Sequence, residues 1–203
     1  RQKPDAVFSG PEFANLVTAL ALNLALSSAK FFPSFHAAAS IPSNDFGSGI
    51  AARLAALVAT RATKLIAVSA GIGRDLEVRG VPPVKVAVIH NPLPPGIGDV
   101  STATYPWQVE LASMGQGPVV VTAGRLTPVK DQRTLLAAFA RLRAERPARL
   151  VIFGEGLLKA ELIAEATRLE IAGSVLFPGY VNDPAACYAA ADLFVLSSVS
   201  EGF

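Results

Sequence analysis

Short apolar runs alternate with longer stretches of helical period almost from the first residue. A chain with that rhythm is built to form parallel strands with helices packed over both faces of the sheet. The first half offers strands at 5–9, 29–35, 64–69 and 84–90, with helices at 11–27, 49–61 and 71–79 between them. Ala51, Leu54, Leu57 and Val58 recur at helical spacing while Arg53 and Arg61 fall elsewhere on the wheel, so the middle helix is expected to turn one face to a core. Residues 91–117 change character. Asn91-Pro92-Leu93-Pro94-Pro95-Gly96-Ile97-Gly98 is dense in chain breakers and the following stretch keeps no period, which predicts a linker.

The alternation resumes at residue 118. Residues 119–122 read as a strand, followed by a helix over 131–145 with the stripe Leu135, Leu136, Phe139 and Leu142. A strand at 149–153 leads to a helix over 157–170 with the stripe Leu158, Leu162, Ala166 and Leu169, then to a strand at 174–177. Asp183 is placed as an N-cap with Pro184 at the first position of a short helix over 184–191, and 192–197 reads as a buried strand. The fold class is therefore α/β, with two doubly wound parallel-sheet domains: 1–90, a linker at 91–117, and 118–203. Ligands of such sheets bind outside the carboxyl ends of the strands.

Composition removes several function classes. With 51% hydrophobic and 17% charged residues, the chain is too apolar for intrinsic disorder. Eighteen Lys and Arg against sixteen Asp and Glu give a net charge of +2 without a basic block suited to nucleic acid. One Cys excludes an internal disulfide framework, and two His at 36 and 90 form no cluster at metal-ligand spacing. The most apolar stretch, Leu16 to Phe32, is interrupted by Asn23, Ser27, Ser28 and Lys30, so it reads as a core helix and then a strand rather than a membrane span. The first apolar run follows directly on Arg1 to Asp5, and Ser200-Glu201-Gly202-Phe203 sits where a loop should lead onward. The expectation is an internal piece of a longer protein, with both domains incomplete.

Chemistry concentrates in the strand-end loops. The loop after 119–122 reads Ala123-Gly124-Arg125-Leu126-Thr127-Pro128-Val129-Lys130-Asp131, which puts two cations where a doubly wound sheet receives anions. It is not a Walker loop, because Val129 and Asp131 flank Lys130. The alternative is a helix-start loop whose cations face solvent. Neither Gly71-Ile72-Gly73 nor Gly154-Glu155-Gly156 completes a dinucleotide fingerprint, since Leu76 and Lys159 stand at the third glycine position. Glu201 either accepts hydrogen bonds from ligand hydroxyls or is merely solvated. His36 and His90 end strands and either face a cleft or are hydrogen-bonded structural residues.

As a set, these segments resemble a known family. Val121-Thr122-Ala123-Gly124-Arg125 with Lys130-Asp131, then Gly154-Glu155-Gly156, Pro178-Gly179-Tyr180-Val181, Ala191-Asp192-Leu193-Phe194 and Glu201-Gly202-Phe203 are similar in order and spacing to the C-terminal half of family 4 (group 1) glycosyltransferases. Ile66 to Ser69 and Val86 to Pro92 are similar to that family's last N-domain strands and hinge entry. The resemblance implies two Rossmann-like domains of GT-B type. It further implies retaining, metal-independent transfer of a sugar from a nucleotide-diphosphate sugar, a UDP- or GDP-sugar, to a glycan or lipid-linked acceptor, with no other cofactor.

Carried onto this chain, the resemblance assigns Arg125 and Lys130 to the donor diphosphate as catalytic cations. Glu201, with Gly202 and Phe203, falls to the donor sugar, Glu201 also as a catalytic acid. Gly154, Glu155, Tyr180 and Val181 fall to the nucleobase region, and His36 is the acceptor-side candidate. Departures cluster in the first half, where Ser34-Phe35-His36-Ala37 lacks the acid many relatives carry. The implied setting is cytoplasmic, at the inner face of the membrane through a lipid-linked acceptor, with no nucleic-acid partner. Rival readings are a nucleotide-sugar epimerase of the same fold and a noncatalytic sugar-nucleotide-binding module.

Overall fold

The computed structural model of the protein describes residues 3–37, 54–92, 103–199 and 201. The chain divides into two compact units, Arg1–Pro92 with Ser200–Phe203, and Leu93–Val199. In the first unit the described elements are β1 (Ala6–Ser9), α1 (Glu12–Leu24), β2 (Lys30–Phe35), α2 (Ala55–Arg61), β3 (Leu65–Ala67), α3 (Ala70–Val78) and β4 (Val86–Val88). The strands pair in parallel in the order β1-β2-β3-β4. Phe31 and Phe35 of β2, Leu65 of β3, Val58 of α2 and Leu76 of α3 are buried together as its core. Ser69 starts α3 by accepting the Ile72 N–H. Gly73 lies inside that helix on the side facing β4, where an added Cβ would be in ordinary contact with Val88 Cγ2 at 3.4 Å.

Two expectations for this unit change. The segment read as a core helix is α1, which does send Ala19 into the core with Leu16 and Leu22 packed against it, but its other fully buried residues are Glu12 and Asn15, and Phe13, Val17, Leu20 and Leu24 are exposed. Glu12 and Asn15 can share the inward side because the strand ends beneath them offer hydrogen-bond partners. Within the helix expected at 49–61, the described part, Ala55–Arg61, buries Ala55, Val58 and Ala59 and leaves Leu57 exposed. Residues 49–53, Ala51 among them, lie outside the described residues.

The second unit runs α4 (Pro106–Ser113), β5 (Val119–Ala123), α5 (Gln132–Glu145), β6 (Arg149–Phe153), α6 (Lys159–Arg168), β7 (Val175–Gly179), α7 (Pro184–Ala189) and β8 (Leu193–Phe194). Its parallel sheet has the order β7-β6-β5-β8, so the direction of winding reverses at β5. Both faces are covered. Along β6, Leu150 and Ile152 join Leu126, Leu136 and Leu162 on one side, while Val151 and Phe153 join Trp107 and Leu176 on the other. This is the alternation a strand imposes on a sheet buried on both faces, and each fully buried Leu or Ile contributes roughly 1.5–3 kcal/mol.

Residues 106–113, inside the stretch read as a linker, form α4. Only Trp107 and Leu111 are buried there, too few apolar residues to make a visible stripe. The helix starts on local chemistry instead, with Pro106 at its first position and Gln108 Oε1 accepting the Tyr105 N–H at 2.8 Å. The strand expected at 192–197 is also shorter and wetter than read. Only Leu193–Phe194 pair with β5, and Leu193, Phe194 and Leu196 are exposed, β8 being the edge strand among the described residues.

Candidate functional site

The carboxyl ends of β5, β6 and β7 converge on a cavity of about 500 Å³ in the second unit, beside the strand where the winding reverses. Two loops form its base by packing backbone on backbone. The Gly124 N–H donates to the Phe153 carbonyl at 3.0 Å, the Leu126 N–H to the Glu155 carbonyl at 3.0 Å, and the Leu158 N–H to the Leu126 carbonyl at 3.2 Å. Such closeness depends on glycine. A Cβ on Gly154, which has φ +127°, would overlap the Gly124 carbonyl oxygen, and one on Gly156 would overlap that of Leu126.

This zipped pair of loops presents the cations. Arg125 is exposed and lines the cavity. The aliphatic chain of Lys130 lies along Gly124, where a Cβ would sit 3.5 Å from Lys130 Cε. The Lys130 backbone is held by Ser197, whose hydroxyl donates to its carbonyl at 2.9 Å, and the Val199 N–H donates to the Val129 carbonyl at 2.9 Å. Asp131 then takes a left-handed conformation, φ +42°, and caps α5 through Thr134, whose N–H and hydroxyl donate to its carboxylate at 3.3 and 2.7 Å.

The remaining walls are apolar and aromatic. Phe153 is buttressed by Trp107, edge to face at 4.9 Å, so the helix within the supposed linker supports the cavity. Tyr180 stands exposed, and Tyr188 packs edge to face on Phe194 at 5.2 Å. Cys187 is buried against the cavity, and burial, then the Asp183 charge, push its thiol up to about 11, so it is a neutral wall rather than a thiolate. Asp183 fixes α7, accepting the Ala186 N–H at 3.0 Å on one oxygen and the Tyr105 hydroxyl at 2.7 Å on the other. Glu155 pairs at 2.8 Å with Lys159, the first residue of α6.

A second cavity, of about 550 Å³, opens in the first unit at the ends of β1 and β2, with the stacked rings of Phe8 and Phe32 on one side and Ser34 and His36 on the other. Its frame is a polar network. Buried Asn15 accepts from the Ser9 hydroxyl at 2.6 Å and donates to the Ser34 carbonyl at 2.7 Å, while Glu12 accepts the N–H groups of His36 and Ala37 at 3.0 and 3.1 Å. The Ser34 hydroxyl donates to the Ser9 carbonyl at 2.9 Å, so it accepts from His36 Nε2 at 3.1 Å. His90 is tied to the Val68 carbonyl through Nδ1 at 3.1 Å.

Arg125, Gly154, Glu155, Tyr180 and Val181 thus share one cavity with Lys130 at its side, and His36 lines a different one. Glu201 is half-buried and is not part of the second unit, and Gly202 and Phe203 lie outside the described residues. Sequence reasoning passed over Cys187 and Tyr188, whose only signal was their place on the helix after Asp183-Pro184, and over the Glu12 and Asn15 network. Among the described residues no three His, Cys, Asp or Glu side chains gather where they could hold a metal ion, and no helix is long and apolar enough to cross a membrane.

Comparison with known proteins agrees with this geometry. The family model for glycosyl transferases group 1 matches residues 106–203. The chain is similar to the N-acetylgalactosamine-N,N'-diacetylbacillosaminyl-diphospho-undecaprenol 4-alpha-N-acetylgalactosaminyltransferase of Campylobacter jejuni, 29% identical over 170 residues covering 79% of this chain and 42% of the relative. It is also similar to the D-inositol 3-phosphate glycosyltransferase of Segniliparus rotundus, 35% identical over 135 residues covering 60% of this chain and 28% of the relative. Among solved structures, Anabaena HepE in complex with UDP and glucose superposes with a TM-score of 0.76 at 24% identity, over 98% of this chain and 54% of that one. The fold is that of the GT-B glycosyltransferases, and the chain spans about half the length, or less, of these relatives.

Proposed function

We propose, from the membership of residues 106–203 in the group 1 glycosyl transferases, that the protein is a hexosyltransferase. It moves a sugar from a nucleotide-diphosphate sugar to a glycan or lipid-linked acceptor, with retention at the anomeric carbon and without a metal ion. The observation that carries this reading is the position of Arg125: an exposed guanidinium on a backbone-locked loop, at the carboxyl end of β5, facing a 500 Å³ cavity. UDP in the complexes of Anabaena HepE supports a nucleoside diphosphate as the ligand.

As the bond from the anomeric carbon to the diphosphate oxygen breaks, its electron pair stays on the leaving nucleoside diphosphate, and the acceptor hydroxyl supplies the new oxygen while its proton passes to the leaving diphosphate. Arg125, with Lys130 beside it, stabilises the charge that appears on the diphosphate, each charged hydrogen bond contributing about 1.5–3 kcal/mol. The aromatic and thiol wall of the same cavity gives a planar base a dry face to rest on. Glu201 is proposed at the donor sugar and His36 on the acceptor side.

The test is transfer by the full-length protein from a panel of UDP- and GDP-sugars, with and without EDTA, and with the anomeric configuration of the product read by NMR. Arg125→Ala is expected to lower kcat/KM by roughly 10²–10³, by analogy with loss of one oxyanion-stabilising donor. Unchanged turnover in that variant, an inverted product, loss of activity in EDTA that Mg²⁺ restores, or formation of an epimer without acceptor would each reject its part of the reading.

A further inference from the structure

We infer that Gln132, which no motif singles out, is a positioning residue that aims Arg125 at the diphosphate; the inference rests on the role proposed for Arg125 above. Gln132 is the first residue of α5 and is 3% exposed. Its Nε2 donates to the Arg125 carbonyl at 3.1 Å, and the Thr127 N–H donates to the same oxygen at 3.0 Å. Two donors occupy both lone pairs of that carbonyl and fix the plane of the peptide after Arg125. The neighbours on either side are held as well, Gly124 by Phe153 and the fully buried Leu126 by Glu155 and Leu158. The Arg125 side chain itself is exposed, so its direction into the cavity is inherited from this backbone.

The other half of the Gln132 amide makes the case stronger. Oε1 is buried and has no hydrogen-bond partner. Turning the amide over would set that oxygen against the Arg125 carbonyl, acceptor on acceptor, so the orphan cannot be relieved while the clamp is kept. A buried carbonyl without a donor destabilises a fold, and an unbranched apolar side chain of the same length would fill the space without it. A site chosen for packing alone would therefore favour Met. A residue that costs stability while holding the backbone of the cavity's cation fits a site where positioning outweighs stability.

The test uses full-length protein as wild type, Gln132→Met, Gln132→Leu, Arg125→Ala and the Gln132→Met/Arg125→Ala pair. Four quantities are measured: UDP affinity by calorimetry, transfer with the donor identified above, urea unfolding, and the ¹³C resonance of the Arg125 carbonyl. Gln132→Met is expected to unfold at the same or higher urea, to shift the Arg125 carbonyl resonance, and to lose ~10–100-fold in kcat/KM. The double variant is expected to be no worse than Arg125→Ala alone, because Gln132 acts through Arg125. Full activity in Gln132→Met, losses that multiply in the double variant, or loss of stability in both Gln132 variants would overturn the inference. Full activity in Arg125→Ala while the carbonyl resonance still moves in Gln132→Met, in wild-type protein that binds UDP or GDP, would instead reject the diphosphate reading. The clamp would then be real but without catalytic meaning.

Discussion

The two cavities are built by opposite means. Around His36 the strand-end loop is held by side chains: Glu12 grips two backbone N–H groups, Asn15 bridges Ser9 and Ser34, and the Ser34 hydroxyl meets the His36 ring. Around Arg125 the loops meet mainly backbone on backbone, with Gly154 and Gly156 letting the chains touch and the Gln132 and Ser197 side chains each adding one bond to a loop carbonyl. A polar network can lose one member and reorganise with water. Backbone in direct contact has no such latitude, so the same kind of small substitution should have very different consequences in the two units.

The largest effect is expected at Gly154. In Gly154→Ala the new Cβ meets the Gly124 carbonyl and the residue must keep φ +127°, so the strand-end loops have to separate. A loss of about 3–5 kcal/mol in urea unfolding is expected from strain and overlap together. Gly80→Ala sharpens the comparison, because Gly80 has φ +85° with nothing within 4 Å of the added atom. That variant isolates the conformational cost, about 1–2 kcal/mol. Equal losses at the two glycines would mean that backbone closeness is not what holds the Arg125 loop.

A middling effect is expected in the first unit. Asn15→Leu keeps the size of a fully buried side chain but strands the Ser9 hydroxyl and the Ser34 carbonyl, for a loss of about 2–3 kcal/mol. Adding Ser9→Ala should recover part of it, since removing both partners of a buried bond costs less than removing one. A double variant as unstable as the sum of the two singles would show that the network does not behave as a coupled unit.

These contrasts also explain what could be read from the sequence. The stripes of α5 and α6 and the bounds of β6 follow from periodicity, because those elements bury a continuous apolar face. The Arg125 loop was legible because its cations follow a strand of obvious character and a glycine that allows the turn. Helix α4 was not, since two buried side chains four residues apart carry no period, and its start rests on Pro106 and Gln108. The polar face of α1 was hidden for the converse reason. Nothing in Glu12 or Asn15 announces that their partners lie at the ends of β1 and β2, 6 to 25 residues away in sequence. Gln132 falls in the same class, its partner being a carbonyl seven residues back.

The smallest effect tests the dry wall of the Arg125 cavity. Cys187 has an ordinary value of 9.0 in the absence of its surroundings and is raised to about 11 in the fold, by burial first and by the Asp183 charge second. Between those two values the unfolded chain has lost the thiol proton and the folded chain has kept it, so the unfolded state binds fewer protons and stability falls as pH rises. Below pH 9 both states are protonated and Cys187 contributes no slope. The expected result is a decline in urea stability between about pH 9 and pH 11 that is shallower in Cys187→Ala, with the two proteins running parallel from pH 6 to 8. Iodoacetamide at pH 8 should modify the unfolded chain much faster than the folded one, since only the thiolate reacts and the buried thiol forms little of it. Rapid alkylation of the folded protein, or identical slopes for both proteins above pH 9, would mean that this wall is wet and that a nucleobase has no dry face to rest on there.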